Sequence, residues 1–416
     1  MEVLTVIEHE SVPLVARRSP GDRSLDEKQA RALSRLEAIL PEKTFSWGHQ
    51  RIKFAQYCGV ISLGNLTIEI LPKIYGLEAN PGTTRDALIR MLAKARCMNL
   101  QTGGMANVAL QKRHLLDVFI LHFCQQLHDQ LMQGMIQQYV EWNENLNVIR
   151  GRLRVEQQFM RNLAHRERLF CQYDELSVDN RYNQVIKAVL RLLLPTTVSE
   201  SARKAVTELL MRFDAVGDRL VAPTMVDSLS FDRSNNRYRP VFEQCRWFLQ
   251  GMHPDVLAGD RNCITLLFDM NRLFESYVAA ELRSVAWQQD LRLRVQGPQK
   301  YLMFRKDTGQ QVFLLKPDIS LLDGDNRVVL IADAKWKLLD EGDRKLGISQ
   351  GDLYQMAGYA SRYCVKNVAL IFPRQRKLTR PVQLEFQAGD VNLVILPFDV
   401  TSSTSMQTFP LPGFSA

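Results

Sequence analysis

Two short charged motifs in the last third of the chain have residue types and spacing suited to metal-assisted hydrolysis of a phosphate ester. Lys-Pro-Asp at 316–318 follows one apolar run, and Asp-Ala-Lys at 333–335 ends another. Because side chains alternate across a strand, Asp333 and Lys335 are predicted to share one face. Oxygen ligands suit Mg²⁺, so we expect Asp318, Asp333 and the carbonyl of Ala334 to bind it. Lys335 would position an attacking water and help to deprotonate it.

The alternative interpretation is an internal ion pair of Lys335 with Asp333 or Asp318 at a sheet edge, since Asp-x-Lys is a common tripeptide. A following helix favours the site, because Gln355 and Tyr359 lie four residues apart and so share one helical face. Glu275 on an upstream helix offers a third carboxylate; the alternative for Glu275 is a solvated helix charge.

The elements around these motifs predict an α/β domain with a central mixed sheet over residues 261–416. Helices are predicted at Leu267–Leu282 and Asp352–Tyr363. Strands are predicted at Leu291–Val295, Tyr301–Arg305, Val312–Leu322, Val328–Trp336, Val368–Phe372 and Val391–Leu396.

Two further regions precede this domain. Residues 1–105 are predicted to be rich in strands, with one helix at Leu25–Leu40. Residues 106–260 are predicted to be a helical middle region, because a long apolar stripe of core residues repeats every three or four positions: Leu116, Phe119, Phe123, Leu127 and Leu131. The predicted class is therefore α/β, or α+β overall, in three domains.

Composition excludes several classes of protein. The 416 residues are 46% hydrophobic, which excludes disorder of the whole chain, and the net charge of +8 is compatible with a polyanionic partner. No secretory signal and no run of about 20 apolar residues is present, so we expect no membrane span. The seven cysteines are scattered without a Cys-x-x-Cys pair, which favours a reducing cytoplasm and argues against a zinc site.

Basic residues flank the charged motifs and form either a rim that contacts phosphates or merely solvated loops. They are Arg292, Arg294, Lys300, Arg305 and Lys306 before the motifs, and Arg374, Arg376, Lys377 and Arg380 after them.

Together, the motifs over about 265–400 resemble the PD-(D/E)xK nuclease superfamily, and nearly the whole chain is similar to the McrC nuclease subunits of McrBC modification-dependent restriction systems. The segments that carry this second resemblance are Gly64–Ile74, Gly151–Arg154, Cys171–Asn180 with Asn183, Asn271–Tyr277 and the nuclease motifs themselves. By resemblance, Asp318, Asp333 and Lys335 take the catalytic positions. The resemblance also implies catalytic positions for Glu275 and Gln355, and it places Glu275 among the metal ligands.

The resemblance implies a Mg²⁺-dependent endonuclease of antiviral defence that cleaves DNA carrying 5-methylcytosine. Such subunits dock an N-terminal arm, here residues 1–105, into a ring of AAA+ GTPase (McrB) subunits and stimulate GTP hydrolysis. Gly103 to Lys112 does not fit a phosphate-binding loop, so the motor would be a separate protein. Two alternatives stay open: a non-cleaving regulator or DNA clamp of an AAA+ motor, and a stand-alone RecB-like nuclease suggested by Gln355 and Tyr359.

Overall fold

The computed structural model describes residues 2–77, 80–95, 114–253, 263–337, 339, 347–375, 378–387 and 390–401. Within these ranges the α-helices are α1 (Glu27–Glu37), α2 (Pro81–Lys94), α3 (Leu115–Leu131), α4 (Val155–Arg161), α5 (Arg181–Leu193), α6 (Glu200–Arg212), α7 (Pro223–Asp227), α8 (Arg239–Gln250), α9 (Met270–Gln288) and α10 (Gln350–Tyr363). No helix of these ranges is long and apolar enough to cross a membrane.

The strands before α9 are β1 (Glu2–Ile7), β2 (Ser11–Val15), β3 (Leu25–Asp26), β4 (Phe45–Gly48), β5 (Arg51–Phe54), β6 (Tyr57–Leu63), β7 (Leu66–Leu71), β8 (Gln138–Leu146), β9 (Arg152–Leu153), β10 (Leu169–Ser177), β11 (Met252–His253) and β12 (Cys263–Asp269). Those after it are β13 (Arg292–Val295), β14 (Lys300–Phe304), β15 (Gln311–Leu315), β16 (Ile319–Leu322), β17 (Val328–Ala334), β18 (Asn367–Pro373), β19 (Val382–Glu385) and β20 (Asn392–Phe398).

The predicted mixed α/β class is confirmed. The sheets have the orders β1-β7-β6-β12-β11, β3-β2-β5-β4, β8-β10-β9, β14-β15 and β13-β16-β17-β18-β20-β19. The chain divides into two compact units that are both discontinuous in sequence. The first contains residues 1–2, 61–67 and 113–266, and the second contains 3–60, 68–112 and 267–416.

Most N-terminal residues thus share a unit with the C-terminal third instead of forming a unit of their own. The predicted domain boundaries near residues 105 and 260 fall outside the described residues and stay predictions.

The first unit contains the predicted middle region, which is not purely helical. The apolar stripe of α3 is buried as predicted, and α5, α6 and α8 are further helices of this unit. However, β8 and β10 form an antiparallel pair over nine residues that the sequence did not indicate. In β8 the side chains of both faces are largely exposed, with Tyr139 at 72%, so the strand lacks the alternation of apolar and polar residues that marks a half-buried strand.

The second unit contains the six-stranded sheet on which the charged motifs lie. β17 pairs antiparallel with β16 and parallel with β18, and α10 makes the crossover from β17 to β18. This helix packs Met356, Tyr359 and Tyr363 into the same core cluster as Ile331 of β17 and Leu370 of β18. The sheet therefore has a hydrophobic core that fixes the strand ends where the charged residues lie.

The predicted strand Val312–Leu322 is in fact two strands that belong to different sheets. β15 ends at Leu315, and β16 begins at Ile319, directly after Asp318. Pro317 lies between them and has no N–H to donate to a sheet ladder, which explains why the strand is interrupted there. The interruption frees the Asp318 side chain from the pleat of either strand.

Candidate metal centre and nuclease site

The structure brings Asp318, Asp333 and Lys335 together at one end of the β16–β17 pair. Because Ile319 pairs with Ala332 in an antiparallel register, the start of β16 and the end of β17 lie side by side. The Ala334 N–H donates to Asp318 Oδ2 over 3.1 Å, and Lys335 Nζ lies 2.6 Å from Asp333 Oδ2. Asp333 is completely buried, and its Oδ1 accepts no hydrogen bond within the described part of the chain.

The electrostatics of this pair of carboxyl groups favour a cation. Burial, the negative charge of Asp333 and its hydrogen bond to Asp318, and the charge of Glu275 together raise the pKa of Asp318 to about 8, against the opposing charge of Lys335. Burial alone would lower the pKa of Lys335, but the charges of Asp333 and Asp318 raise it overall. A divalent cation bound by both carboxylates would relieve their repulsion and give the buried Oδ1 of Asp333 a partner, so these residues fit Mg²⁺, which needs only one or two carboxylates.

Glu275 lies on α9, which begins three residues later than the predicted helix. Its charge acts on Asp318. Its Oε1 accepts a hydrogen bond from Gln296 Nε2 over 3.0 Å. Among the described residues, no three His, Cys, Asp or Glu side chains form a cluster that could hold a metal ion together. Glu275 therefore acts on the aspartates through its charge, and its role as a metal ligand stays a prediction.

Gln355 and Tyr359 share one face of α10, as their spacing predicts. Gln355 Nε2 donates to the Tyr359 hydroxyl over 2.9 Å, and that hydroxyl donates to the carbonyl of Lys316 over 3.2 Å. Burial raises the pKa of Tyr359 to about 12, so it remains a donor at any physiological pH. The two side chains thus hold the segment that leads into Asp318, and Gln355 acts on the site through Tyr359.

Gln296 is a site residue that the sequence did not reveal. Its backbone N–H donates to the carbonyl of Asp318 over 2.8 Å, while its side chain holds Glu275. Its φ of 50° lies in the left-handed region, which non-glycine residues rarely occupy and which recurs at functional sites. A Gln-Gly-Pro sequence after a strand indicates a turn, and nothing in it points to contact with a carboxylate.

The predicted basic rim is only partly available to a ligand. Arg305 pairs with Asp307 at 2.6 Å, and Arg374 pairs with Asp399 at 3.2 Å. Lys300 lies over the ring of Tyr363 at 4.7 Å. Arg292, Arg294, Lys306 and Arg380 are exposed, whereas Arg376 and Lys377 lie outside the described residues.

The family model described as "McrBC 5-methylcytosine restriction system component" matches residues 52–373, a range that includes Asp318, Asp333 and Lys335. The chain belongs to this McrBC family. No curated protein matches it.

Two solved structures of McrBC assemblies are similar to the chain. One is the refined half-complex from the tetradecameric assembly of Thermococcus gammatolerans McrB AAA+ hexamers with bound McrC. It aligns with 97% of this chain and 96% of its own at 21% identity and a TM-score of 0.76. The other is the Thermococcus gammatolerans McrBC complex, with 23% identity, a TM-score of 0.54, and coverage of 67% of this chain and 87% of that one. At these identities the likeness establishes the fold.

Proposed function

We propose that this chain is the Mg²⁺-dependent DNA endonuclease subunit of an McrBC-type restriction system. The observation that carries the proposal is the buried pair Asp318 and Asp333, with an unpartnered carboxylate oxygen and Lys335 at 2.6 Å. Lys335 supplies one positive charge for two carboxyl groups, so Asp318 keeps its proton up to about pH 8 unless a further cation binds. Strongly perturbed ionisable groups of this kind are typical of functional sites.

In this proposal the side chains have distinct tasks. Asp318 and Asp333 would hold Mg²⁺, which when bound supplies positive charge against the charge that builds up on the phosphate. Lys335 keeps its proton at neutral pH, because the neighbouring carboxylates raise its pKa. It would therefore orient the attacking water and donate to the phosphate, while Tyr359 and Gln296 keep Asp318 in place.

We further propose that the chain works with a ring of AAA+ GTPase subunits in the cytoplasm, stimulates their GTP hydrolysis, and cleaves methylated DNA. Support comes from the match over 97% of the chain to an assembly of McrB AAA+ hexamers with bound McrC. The docking of residues 1–105 into the ring stays a prediction.

The test uses the full chain with its AAA+ partner, GTP, Mg²⁺ and 5-methylcytosine-containing DNA. We expect Asp333→Asn and Lys335→Ala to abolish cleavage, while partner binding and stimulation of GTP hydrolysis persist. Asp325→Asn and Lys366→Ala are matched controls, because both side chains are exposed and lie in turns at the opposite end of the sheet. Full cleavage by either site variant would refute the assignment.

Two outcomes would favour the other functions. A wild-type complex that stimulates GTP hydrolysis but makes no DNA ends with Mg²⁺ or Mn²⁺ would indicate a regulator or clamp. Cleavage by the purified chain without any motor would indicate a stand-alone nuclease.

A further inference from the structure

A cavity of about 350 Å³ lined largely by polar residues lies within the second unit, next to the proposed nuclease site. It is lined by Glu8, His9, Gln56, Lys73, Asn271, Trp336, Lys337 and Pro373. Trp336 and Lys337 directly follow Lys335, and the Lys337 N–H donates back to the carbonyl of Lys335 over 3.0 Å. Asn271 lies one helical turn before Glu275 on α9.

Three segments that are far apart in sequence meet at this cavity, and each is one on which the sequence resemblance rests. Gly64–Ile74 contributes Lys73, Asn271–Tyr277 contributes Asn271, and the nuclease strand contributes Trp336. The proposed cleavage reaction uses neither Lys73 nor Asn271. The three segments therefore meet at a cavity, and the proposed cleavage reaction does not explain the presence of Lys73 and Asn271 there.

Glu8 holds two of these segments together. It is only 2% exposed, and its Oε2 accepts hydrogen bonds from Trp336 Nε1 over 2.9 Å and from the backbone N–H of Lys73 over 3.4 Å. His9 Nε2 lies 3.6 Å from its other oxygen. The carboxylate of Glu8 is thus occupied by the protein, and it fixes the positions from which the lysines reach the cavity.

The charges around the cavity suit a singly charged anion. Lys73 and Lys337 contribute two positive charges against the one negative charge of Glu8 when His9 is neutral. Lys337 Nζ donates to the carbonyl of Gly347 over 3.0 Å, which leaves two of its three N–H groups for a ligand. Lys73 Nζ takes part in no ion pair within the described ranges. Gln56 Nε2 already donates to Asp269 Oδ2 over 3.3 Å, so its second N–H and the amide of Asn271 add donors of the kind that contact phosphate oxygens.

We propose that this cavity binds a phosphodiester of the DNA strand, adjacent to the bond on which Asp318 and Asp333 act. A phosphodiester carries one negative charge, and the volume accommodates a phosphate with its neighbouring sugar. The placement of the DNA rests on the proposed function, whereas the binding of a phosphodiester rests on the lysines and amides of the cavity.

The first experiment measures duplex DNA binding by the full chain as a function of salt concentration, without divalent metal so that no cleavage occurs. We expect Lys73→Gln and Lys337→Gln each to weaken binding roughly tenfold and to lower the slope of log affinity against log salt by about 0.9. Lys366→Gln is the matched control, because it removes the same charge just before β18, at the end opposite Pro373, and should leave both quantities unchanged.

A second measurement separates this proposal from the proposed function. In the cleavage assay with the AAA+ partner, both cavity variants should raise KM for DNA with little change in kcat. A wild-type protein that cleaves, together with cavity variants that match it in KM and salt slope, would refute the cavity proposal alone. A wild-type protein that never cleaves, together with variants that lose DNA affinity, would refute only the proposed function.

Folding and free phosphate need their own controls. Lys73 is partly buried, so thermal unfolding of Lys73→Gln is compared with wild type; if it does not fold, the exposed Lys337→Gln decides the result. Inorganic phosphate that raises the unfolding temperature of wild type but of neither cavity variant, with unchanged DNA affinity in those variants, would identify a site for free phosphate and overturn the proposal.

Discussion

Asp318→Asn should stabilise the protein while it removes metal binding. In the folded protein, burial and the charges of Asp333 and Glu275 hold the pKa of Asp318 at about 8, against 3.8 for an ordinary aspartate. The folded state therefore binds this proton more tightly than the unfolded state does. The stability that Asp318 contributes is fully present below about pH 4. It falls as the pH rises to about 8, where the folded carboxyl group also ionises.

The size of the effect follows from the gap between the two pKa values. At pH 7 the unfolded aspartate is ionised. Keeping the folded one protonated costs about 1.36 kcal/mol for each pH unit between 3.8 and 7, or about 4 kcal/mol in all. Asparagine avoids this cost and can still accept the Ala334 N–H, but its amide must be placed beside the buried Asp333. We therefore expect a net gain in the free energy of unfolding on the order of 1–3 kcal/mol.

The assay is thermal unfolding of wild type and Asp318→Asn from pH 4.5 to 8.5, with and without Mg²⁺. The variant should unfold at a higher temperature at pH 8 and near the wild-type temperature at pH 4.5. Added Mg²⁺ should stabilise wild type and reduce the difference in unfolding temperature between the two proteins, because a ligand that binds only the folded state raises its stability. A difference that does not vary with pH, or a less stable variant at pH 8, would refute the electrostatic account of this site.

Two further predictions concern residues around the site and in the core of the same unit. Gln296→Leu should lower kcat for DNA cleavage about tenfold with DNA affinity unchanged, because it frees Glu275 but keeps the backbone bond to Asp318; an unchanged kcat would contradict the positioning role. Arg85→Met should destabilise the protein by about 3–5 kcal/mol in denaturant unfolding, because it removes the guanidinium that donates to both oxygens of the buried Glu69 carboxylate over 2.6 Å. A loss below about 1 kcal/mol would show that Glu69 finds another partner.

The sequence predicted most strands of the C-terminal sheet and the proximity of Asp333 and Lys335, because both depend on local patterns. The apolar run 328–332 marks β17 as a buried strand, and β17 begins at the predicted Val328. Alternation along β17 placed Asp333 and Lys335 on one face, and their 2.6 Å contact confirms it. The four-residue spacing of Gln355 and Tyr359 likewise predicted a contact that the helix makes.

Features that depend on long-range pairing could not be predicted from local patterns. The β8–β10 pair has largely exposed faces and so gives no hydrophobic signal. Gln296 acts through its backbone and through a residue 21 positions away, which its type does not suggest. The grouping of residues 3–60 with 267–416 likewise rests on contacts such as that of Glu8 with Trp336, which are 328 residues apart.

The register of the β16–β17 pairing, more than the sequence motif, brings the residues of the site together. Asp318 lies outside both β15 and β16, so alternation says nothing about where its side chain points; the pairing of Ile319 with Ala332 brings it to the end of β17. A slip of one residue in this pairing would carry Asp333 to the opposite face and separate the carboxylates. The only irregularity in the pairing of β16 with β17 lies between Leu321 and Leu322, at the end away from Asp318. The pairing is thus regular beside Asp318 and Asp333, and the register shift lies at the end of β16 next to the turn that joins the two strands.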